Sequence, residues 1–276
     1  MKEIINYKNF SEKKTVLLKK KFINNKPFPH IIIDNFFNKN FLDKIIKYYK
    51  INDNWINYSF VNNFKKFGLN DRSKMSPDLK LLFDNLASKK FVNKLVKITK
   101  IEKLFLDKGL DGGGLHQIFQ NGYLNIHTDF TSHTIKHNWK RVLNILIYAN
   151  KGWKKKYNGN LELWNSNGKK KITEIFPKFN RCVIFLTDDI SYHGHPKKLK
   201  CPSNLSRKSI AAYYFIVKKR KLKLRPTNYI SRPGDSVKDK FLINFDKQLN
   251  NFYSILKRKK ILNDKIITKI LNTLPK

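Results

Sequence analysis

Asn121-Gly-Tyr-Leu-Asn-Ile-His-Thr-Asp-Phe130 opens on an Asn-Gly turn and continues with the character of a β-strand. Within it His127 and Asp129 are two positions apart. On a strand, positions i and i+2 face the same way, so an imidazole and a carboxylate project side by side. A third ligand is available 60 to 70 positions later in Ser191-Tyr-His-Gly-His-Pro196, where His193 and His195 share one face and compete for the role. Two histidines and one carboxylate on one side of a metal make the facial triad that holds Fe(II) and leaves positions open. A His-x-Asp pair also arises by chance, and a lone strand histidine is usually a packed one, so the third ligand decides the matter.

The surrounding chain is that of a globular protein. Its 276 residues are 41% hydrophobic and 13% aromatic, enough to fill a sizeable core. It has no apolar run of membrane-spanning length and no signal-peptide core at its start. Cys182 and Cys201 make neither a disulfide framework nor a zinc cluster, and a reducing, cytoplasmic setting is expected. The net charge of +38 raises nucleic acid as a partner. Yet only eight of the 58 basic residues are arginine, and lysine is spread along the chain with Asn and Ile. That reads as compositional drift over a solvated surface, with no sequence-specific DNA reading expected.

Residues 1–25 read as a polar, peripheral lead-in with one short helix. Lys26–Asp34 reads as a strand with its prolines at the start. A helix is expected over Phe41–Tyr49, a long loop over 51–74, and a helical stretch from Ser76-Pro77 to about Ile98, broken near Ser88. Strands are expected at about 112–119, 123–130, 141–149, 161–165, 171–176, 181–186, 191–195 and 207–217. The fold class is mainly β with flanking helices (α+β), a jelly-roll, cupin-like double sheet with helices packed on one sheet. Residues 238–257 and 261–274 read as amphipathic, lysine-rich helices.

Arg207 opens the apolar strand Arg207-Lys-Ser-Ile-Ala-Ala-Tyr-Tyr-Phe215, where a cation is costly unless paired. Fourteen residues after His193, it is a candidate fork for a carboxylate, with Ser209 on the same face as a further donor. The bland alternative is a snorkelling surface arginine.

Taken in order, these segments resemble the Fe(II)- and 2-oxoglutarate-dependent dioxygenases, in particular the prolyl 4-hydroxylase-like group. The resemblance runs through Lys26-Pro-Phe-Pro-His-Ile31, Gly112-Gly-Gly-Leu-His-Gln117, Gly122–Phe130, Arg141–Asn150, Gly159-Asn-Leu-Glu-Leu-Trp164, Phe179–Phe185, Ser191–Pro196, Ser206–Ser209 and Arg232-Pro-Gly-Asp235. It implies a double-stranded β-helix core of about 26–218 within an oxygenase domain of 1–235. Residues 236–276 then form a helical extension of the same unit. It implies His127, Asp129 and His193 as catalytic metal ligands, the serine two positions before His193 deciding against His195. It further implies Arg207, Tyr148 and Ser209 around 2-oxoglutarate. Fe(II), 2-oxoglutarate and O2 follow, with ascorbate as a candidate reductant, and so does hydroxylation of a prolyl, amino-acid or small-molecule C–H bond. Nucleic acid stays as the alternative partner.

The family's co-substrate tyrosine before the first ligand strand has no counterpart. Ile118 and Phe119 stand there, and Gln117 or Tyr123 is the candidate replacement. His116 is a candidate pocket residue, and His133 and His137 are candidate substrate contacts. His30 reads as structural, and Trp153 and Trp164 as core aromatics. Substrate selection is expected from 51–74 and 131–140.

Overall fold

In chain order, a 3-10 turn (Tyr7–Phe10) and α1 (Glu12–Asn24) precede β1 (His30–Ile33), α2 (Phe41–Ile46), β2 (Ile56–Asn57) and β3 (Lys66–Leu69). Then come α3 (Pro77–Ala87), α4 (Lys89–Thr99), β4 (Phe105–Leu106), β5 (Gly114–Phe119), β6 (Leu124–Thr128) and β7 (Trp139–Tyr148). Next are β8 (Leu161–Trp164), β9 (Lys171–Ile175), β10 (Cys182–Leu186), β11 (His193–His195), β12 (Ser206–Val217) and β13 (Asn228–Tyr229). The chain closes with α5 (Val237–Arg258) and α6 (Asp264–Thr273). This computed structural model describes residues 2–38 and 40–273. The expected helix end at Leu274 lies outside them.

The strands form two antiparallel sheets. The larger has the order β1-β10-β7-β12-β5-β3-β2, with β4 paired to β12; the smaller runs β13-β6-β11-β8-β9. Central strand β10 is a continuous apolar run, and β7 is one from Ile145 onward, because both faces of the large sheet are covered. Alternation sorts their side chains. Leu143, Ile145 and Ile147 join the helix-side core, while Tyr148, with Leu146 against it, packs with Leu161, Leu163, Val183 and Phe185 between the sheets. Likewise Tyr214 donates to the Leu86 carbonyl under α3 at 2.7 Å, whereas its neighbour Tyr213 faces the interior cavity.

Helices α1–α4 cover the outer face of the large sheet. Ser88 both ends α3 and caps α4, its hydroxyl accepting from Phe91 N–H, a cap that contributes about 1 kcal/mol. No helix is long and apolar enough to cross a membrane, among the described residues.

Three expectations change. Residues 1–25 are not peripheral: Ile4, Ile5, Phe10 and Phe22 are buried in the main core, and Ile5 bridges to Phe37. A polar average over the segment conceals these few inward apolar side chains, since Val16, Leu17 and Ile23 stay exposed. Residues 51–74 are not simply a loop, because β2 and β3 extend the large sheet beyond β5. These are two- and four-residue strands without alternation, below what periodicity detects. The helix at Phe41 stops at Ile46 rather than Tyr49; Tyr49 turns inward, and its hydroxyl donates to the Ser209 carbonyl at 2.8 Å.

Candidate active site

Strand pairing builds the candidate metal centre. His193 on β11 is the register partner of His127 on β6, so both imidazoles stand side by side on the inner face of the small sheet. Their ring centroids are 4.5 Å apart. Asp129, just past β6, puts Oδ1 3.7 Å from His127 Nε2 and Oδ2 3.3 Å from His193 Nε2. One ligand atom from each of the three lies within 4.8 Å of the others, a set able to hold one metal ion.

Each ring is oriented by its own strand. His127 Nδ1 is 2.8 Å from the Asn125 carbonyl, and His193 Nδ1 is 2.9 Å from the Ser191 carbonyl. Donation from Nδ1–H to a carbonyl fixes the tautomer and leaves the Nε2 lone pair toward the metal position. Burial pushes the His127 pKa down, and His193 beside it adds to the effect, which favours the neutral ring that a metal ligand needs. Burial alone would raise the Asp129 carboxyl, but Arg141, His193 and His127 outweigh it and hold it well below the ordinary range.

Asp129 is itself anchored. Arg141 Nη2 lies 3.0 Å from its Oδ2, and the Asn144 amide donates to the same oxygen. Arg141 Nε donates to Asn144 Oδ1 at 2.7 Å. The Arg141 guanidinium is clamped over Tyr213 and Phe130, 3.3 and 4.5 Å from their ring centroids, and the residue is 1% exposed. Neither Arg141 nor Asn144 was singled out as a metal-site residue in the sequence; their shared strand, 12 and 15 positions after Asp129, was the available signal.

Deeper between the sheets lies a cavity bordered by the triad, Lys66, His116, His195, Arg207 and Ser209. Arg207 is buried; its Nε donates to the Gly159 carbonyl at 2.7 Å, and its Nη2 reaches the Tyr148 hydroxyl at 3.4 Å. Burial lowers the Arg207 pKa and raises that of Tyr148, each opposed by the other. Gly159 has φ +83°, and a Cβ there would sit 3.0 Å from Arg207 Cδ and 2.7 Å from Leu199, so only glycine leaves the guanidinium its place. Ser209 is the register partner of Tyr148. Arg207 has no carboxylate partner among the described residues, and the far end of a dicarboxylate would supply one.

The remaining sequence candidates divide. His195 is not in the triad; it lines the deep cavity, with both ring nitrogens unpartnered among the described residues. His116 lines both this cavity and the mouth in front of the triad. Gln117 does not face the cavity: its amide donates to Ser206 Oγ at 2.8 Å on the opposite face. Tyr123 is likewise turned away, stacked on Phe64. The inward residues of β5 are therefore His116 and Ile118, and the neighbouring strand adds Lys66, which falls in the stretch read as loop. His133 is not at the mouth but packed between Asp107, Trp139 and Phe215. His137 lines neither cavity. His30 is buried against the Phe28 carbonyl, and Trp153 packs on Tyr157 in a small core cluster.

The mouth is walled by Tyr58 and Lys66 on one side and, on the other, by Asn250, Tyr253 and Lys257 of α5 with Asp264 of α6. Ile243 and Asp246 bury the inner side of α5, and Asp246 Oδ2 accepts from Asn62 N–H at 2.8 Å.

A family model described as the 2OG-Fe(II) oxygenase superfamily matches residues 113–215, the stretch from β5 through β12. None of the curated proteins matches the chain in sequence. Solved structures that share the fold include a prolyl hydroxylase from Trichoplax adhaerens, in complex with a hypoxia inducible factor peptide fragment (TM-score 0.50, 16% identity, 75% of this chain and 95% of that one). A Pseudomonas putida prolyl-4-hydroxylase gives TM-score 0.53 at 11% identity, over 73% of this chain and 99% of that one. Prolyl 4-hydroxylases from Phytophthora capsici give 0.51 at 18% identity, over 91% and 74%. Residues 113–215 thus match the 2OG-Fe(II) oxygenase superfamily, and that match together with the His127-Asp129-His193 set implies an enzyme that uses Fe(II) and 2-oxoglutarate.

Proposed function

We propose that the enzyme hydroxylates an unactivated C–H bond of a prolyl, amino-acid or small-molecule substrate, with release of succinate and CO2. One observation carries this reading: an inward-facing His-x-Asp…His set adjoins a buried arginine with no carboxylate partner among the described residues. His127, Asp129 and His193 are the ligands in this reading, and Arg207, Tyr148 and Ser209 the co-substrate contacts. His127, Asp129 and His193 would hold Fe(II), which would supply the oxygen activation that couples substrate oxidation to decarboxylation of 2-oxoglutarate.

The chain's own work is orientation and exclusion. The Asn125 and Ser191 carbonyls aim two Nε2 atoms at one point, and Arg141 with Asn144 keeps Asp129 ionised and turned toward them. Arg207 takes the far carboxylate in a fork, backed by the Gly159 carbonyl and the Tyr148 hydroxyl. Leu146, Leu161 and Phe185 line the space between and keep water from it. The mouth between Tyr58 and α5 admits the substrate on the open side of the triad. Conversion of 2-oxoglutarate to succinate, screened over prolyl peptides, free amino acids, sugar nucleotides and nucleic acids, tests the reading and identifies the class.

A further inference from the structure

Lys66 lies where the two cavities meet, bordering both the deep pocket and the mouth. Its strand register explains the position. Lys66 pairs with Ile118 on β5, and Ile118 pairs with Arg207 on β12. Lys66 and Arg207 thus share one face of the sheet, two strands and about 10 Å apart at the backbone. Gly68, next but one along β3, has no side chain on that face, and a Cβ there would strike Tyr58 at 2.7 Å and His116 at 3.2 Å. Tyr58 and His116 fill that space, and the Lys66 ammonium sits 5.8 Å from the Tyr58 ring centroid.

The charges around the mouth are unevenly satisfied. On its far wall Asp111 and Asp264 are both taken by Lys257, at 2.9 and 3.0 Å, and Tyr253 also donates to Asp264. On the near wall Lys66 has no carboxylate partner among the described residues, and its burial pushes its pKa down to about 8. An unpaired ammonium drawn partly out of water is costly unless a ligand pairs it. The two ends of 2-oxoglutarate are already provided for, at the metal and at Arg207. An anion for Lys66 has to come from elsewhere.

Building on the oxygenase reading above, we propose that Lys66 seats an oxyanion of the substrate itself, a carboxylate or a phosphate, in the mouth in front of the triad. That cavity is about 170 Å³, the size for a small molecule or one side chain. The substrate is therefore an acid, and Lys66 sets which of its carbons faces the metal.

The test uses the full chain loaded with Mn(II) and 2-oxoglutarate, which holds the site without turnover. Manganese broadens the 19F signal of a probe in proportion to its time near the metal. The probes are 4-fluorobenzoate, 4-fluorophenyl phosphate and, as the neutral control, 4-fluorobenzamide. One or both anions are expected to broaden about tenfold more than the amide; Lys66→Met removes that excess, and Lys66→Arg keeps much of it. Which anion responds separates carboxylate from phosphate. Calorimetry on the same variants is expected to leave 2-oxoglutarate affinity within about threefold of wild type. Equal broadening of anions and amide overturns the proposal, as does an excess that survives Lys66→Met. A loss of about tenfold or more in 2-oxoglutarate affinity also overturns it, since Lys66 would then serve the co-substrate. Lys66→Gln, which keeps the stem and a donor without the charge, is read the same way if the Met variant fails to fold. Wild type that binds no 2-oxoglutarate would instead refute the oxygenase reading, and that is seen before any probe is added.

Discussion

His127 and His193 are register partners on neighbouring strands, with ring centroids 4.5 Å apart. Each hands its Nδ1 to the carbonyl two residues before it, Asn125 and Ser191, so strand pairing alone aims both Nε2 atoms at one point. His195 sits two residues on, in the same strand, but lines the deep cavity instead. Loss of an outer partner of a metal ligand typically costs about 10–100-fold in affinity, and loss of a ligand costs more. His193→Ala is accordingly expected to weaken Fe(II) binding by more than about 100-fold, and His195→Ala by only a few fold. Anaerobic Fe(II) titration of the two variants reads the difference, and equal losses would exchange the roles of the two histidines.

Asn144 stands between Arg141 and Asp129, accepting from one and donating to the other. Asn144→Leu removes both bonds and leaves Arg141 Nε unsatisfied in the interior. Fe(II) affinity is expected to fall about 10–100-fold. Stability is expected to fall by about 1–3 kcal/mol, measured by urea unfolding of the metal-free protein. Unchanged metal affinity would show that Asp129 is held without it.

At the other end of the site, Arg207→Met is expected to raise the KM for 2-oxoglutarate about 10–100-fold, the worth of a charge-assisted fork. Tyr148→Phe removes only the 3.4 Å contact and should cost less than about fivefold. Initial rates over a 2-oxoglutarate series measure both. A larger effect from Tyr148 than from Arg207 would contradict the assignment.

Asp246 predicts a pH dependence. Burial raises its carboxyl to about 6, against the two hydrogen bonds from Asn62, and the residue is 5% exposed. The folded state thus binds this proton more tightly than the unfolded chain does. Its contribution to stability is greatest at about pH 4 and is lost as pH rises through about 6, a cost of roughly 3 kcal/mol at neutral pH. Asp246→Asn keeps an oxygen acceptor for Asn62 without the buried charge. It is expected to be more stable than wild type at pH 7.5 and equal to it near pH 4. Denaturant midpoints at the two pH values decide, and a variant less stable at pH 7.5 would contradict the sign.

The strands that carry the site were legible because each is bounded by a turn signal and carries a distinct apolar run: β6, β7, β10 and β12 lie within two residues of their expected ends. Arg207 could be singled out because a charge inside an apolar strand demands a partner. Lys66 could not, since it is one of 50 lysines and lies on a four-residue strand without alternation. Its placement depends on pairing with β5, a contact made about 50 positions away. Arg141 and Asn144 were hidden for a related reason: three positions apart, they differ in strand parity, and only a register shift on β7 and the opposing sheet bring both to Asp129. Gln117 and Tyr123 were misjudged by a single step of strand parity, which turns a side chain to the other face.

The most direct measurement is succinate formation from 2-oxoglutarate by purified wild type and by His127→Ala, each with and without added Fe(II). Wild type is expected to form succinate only with Fe(II), and His127→Ala to form none above the protein-free background. Iron-dependent succinate formation that survives His127→Ala would contradict the assignment of this triad as the centre of the chemistry.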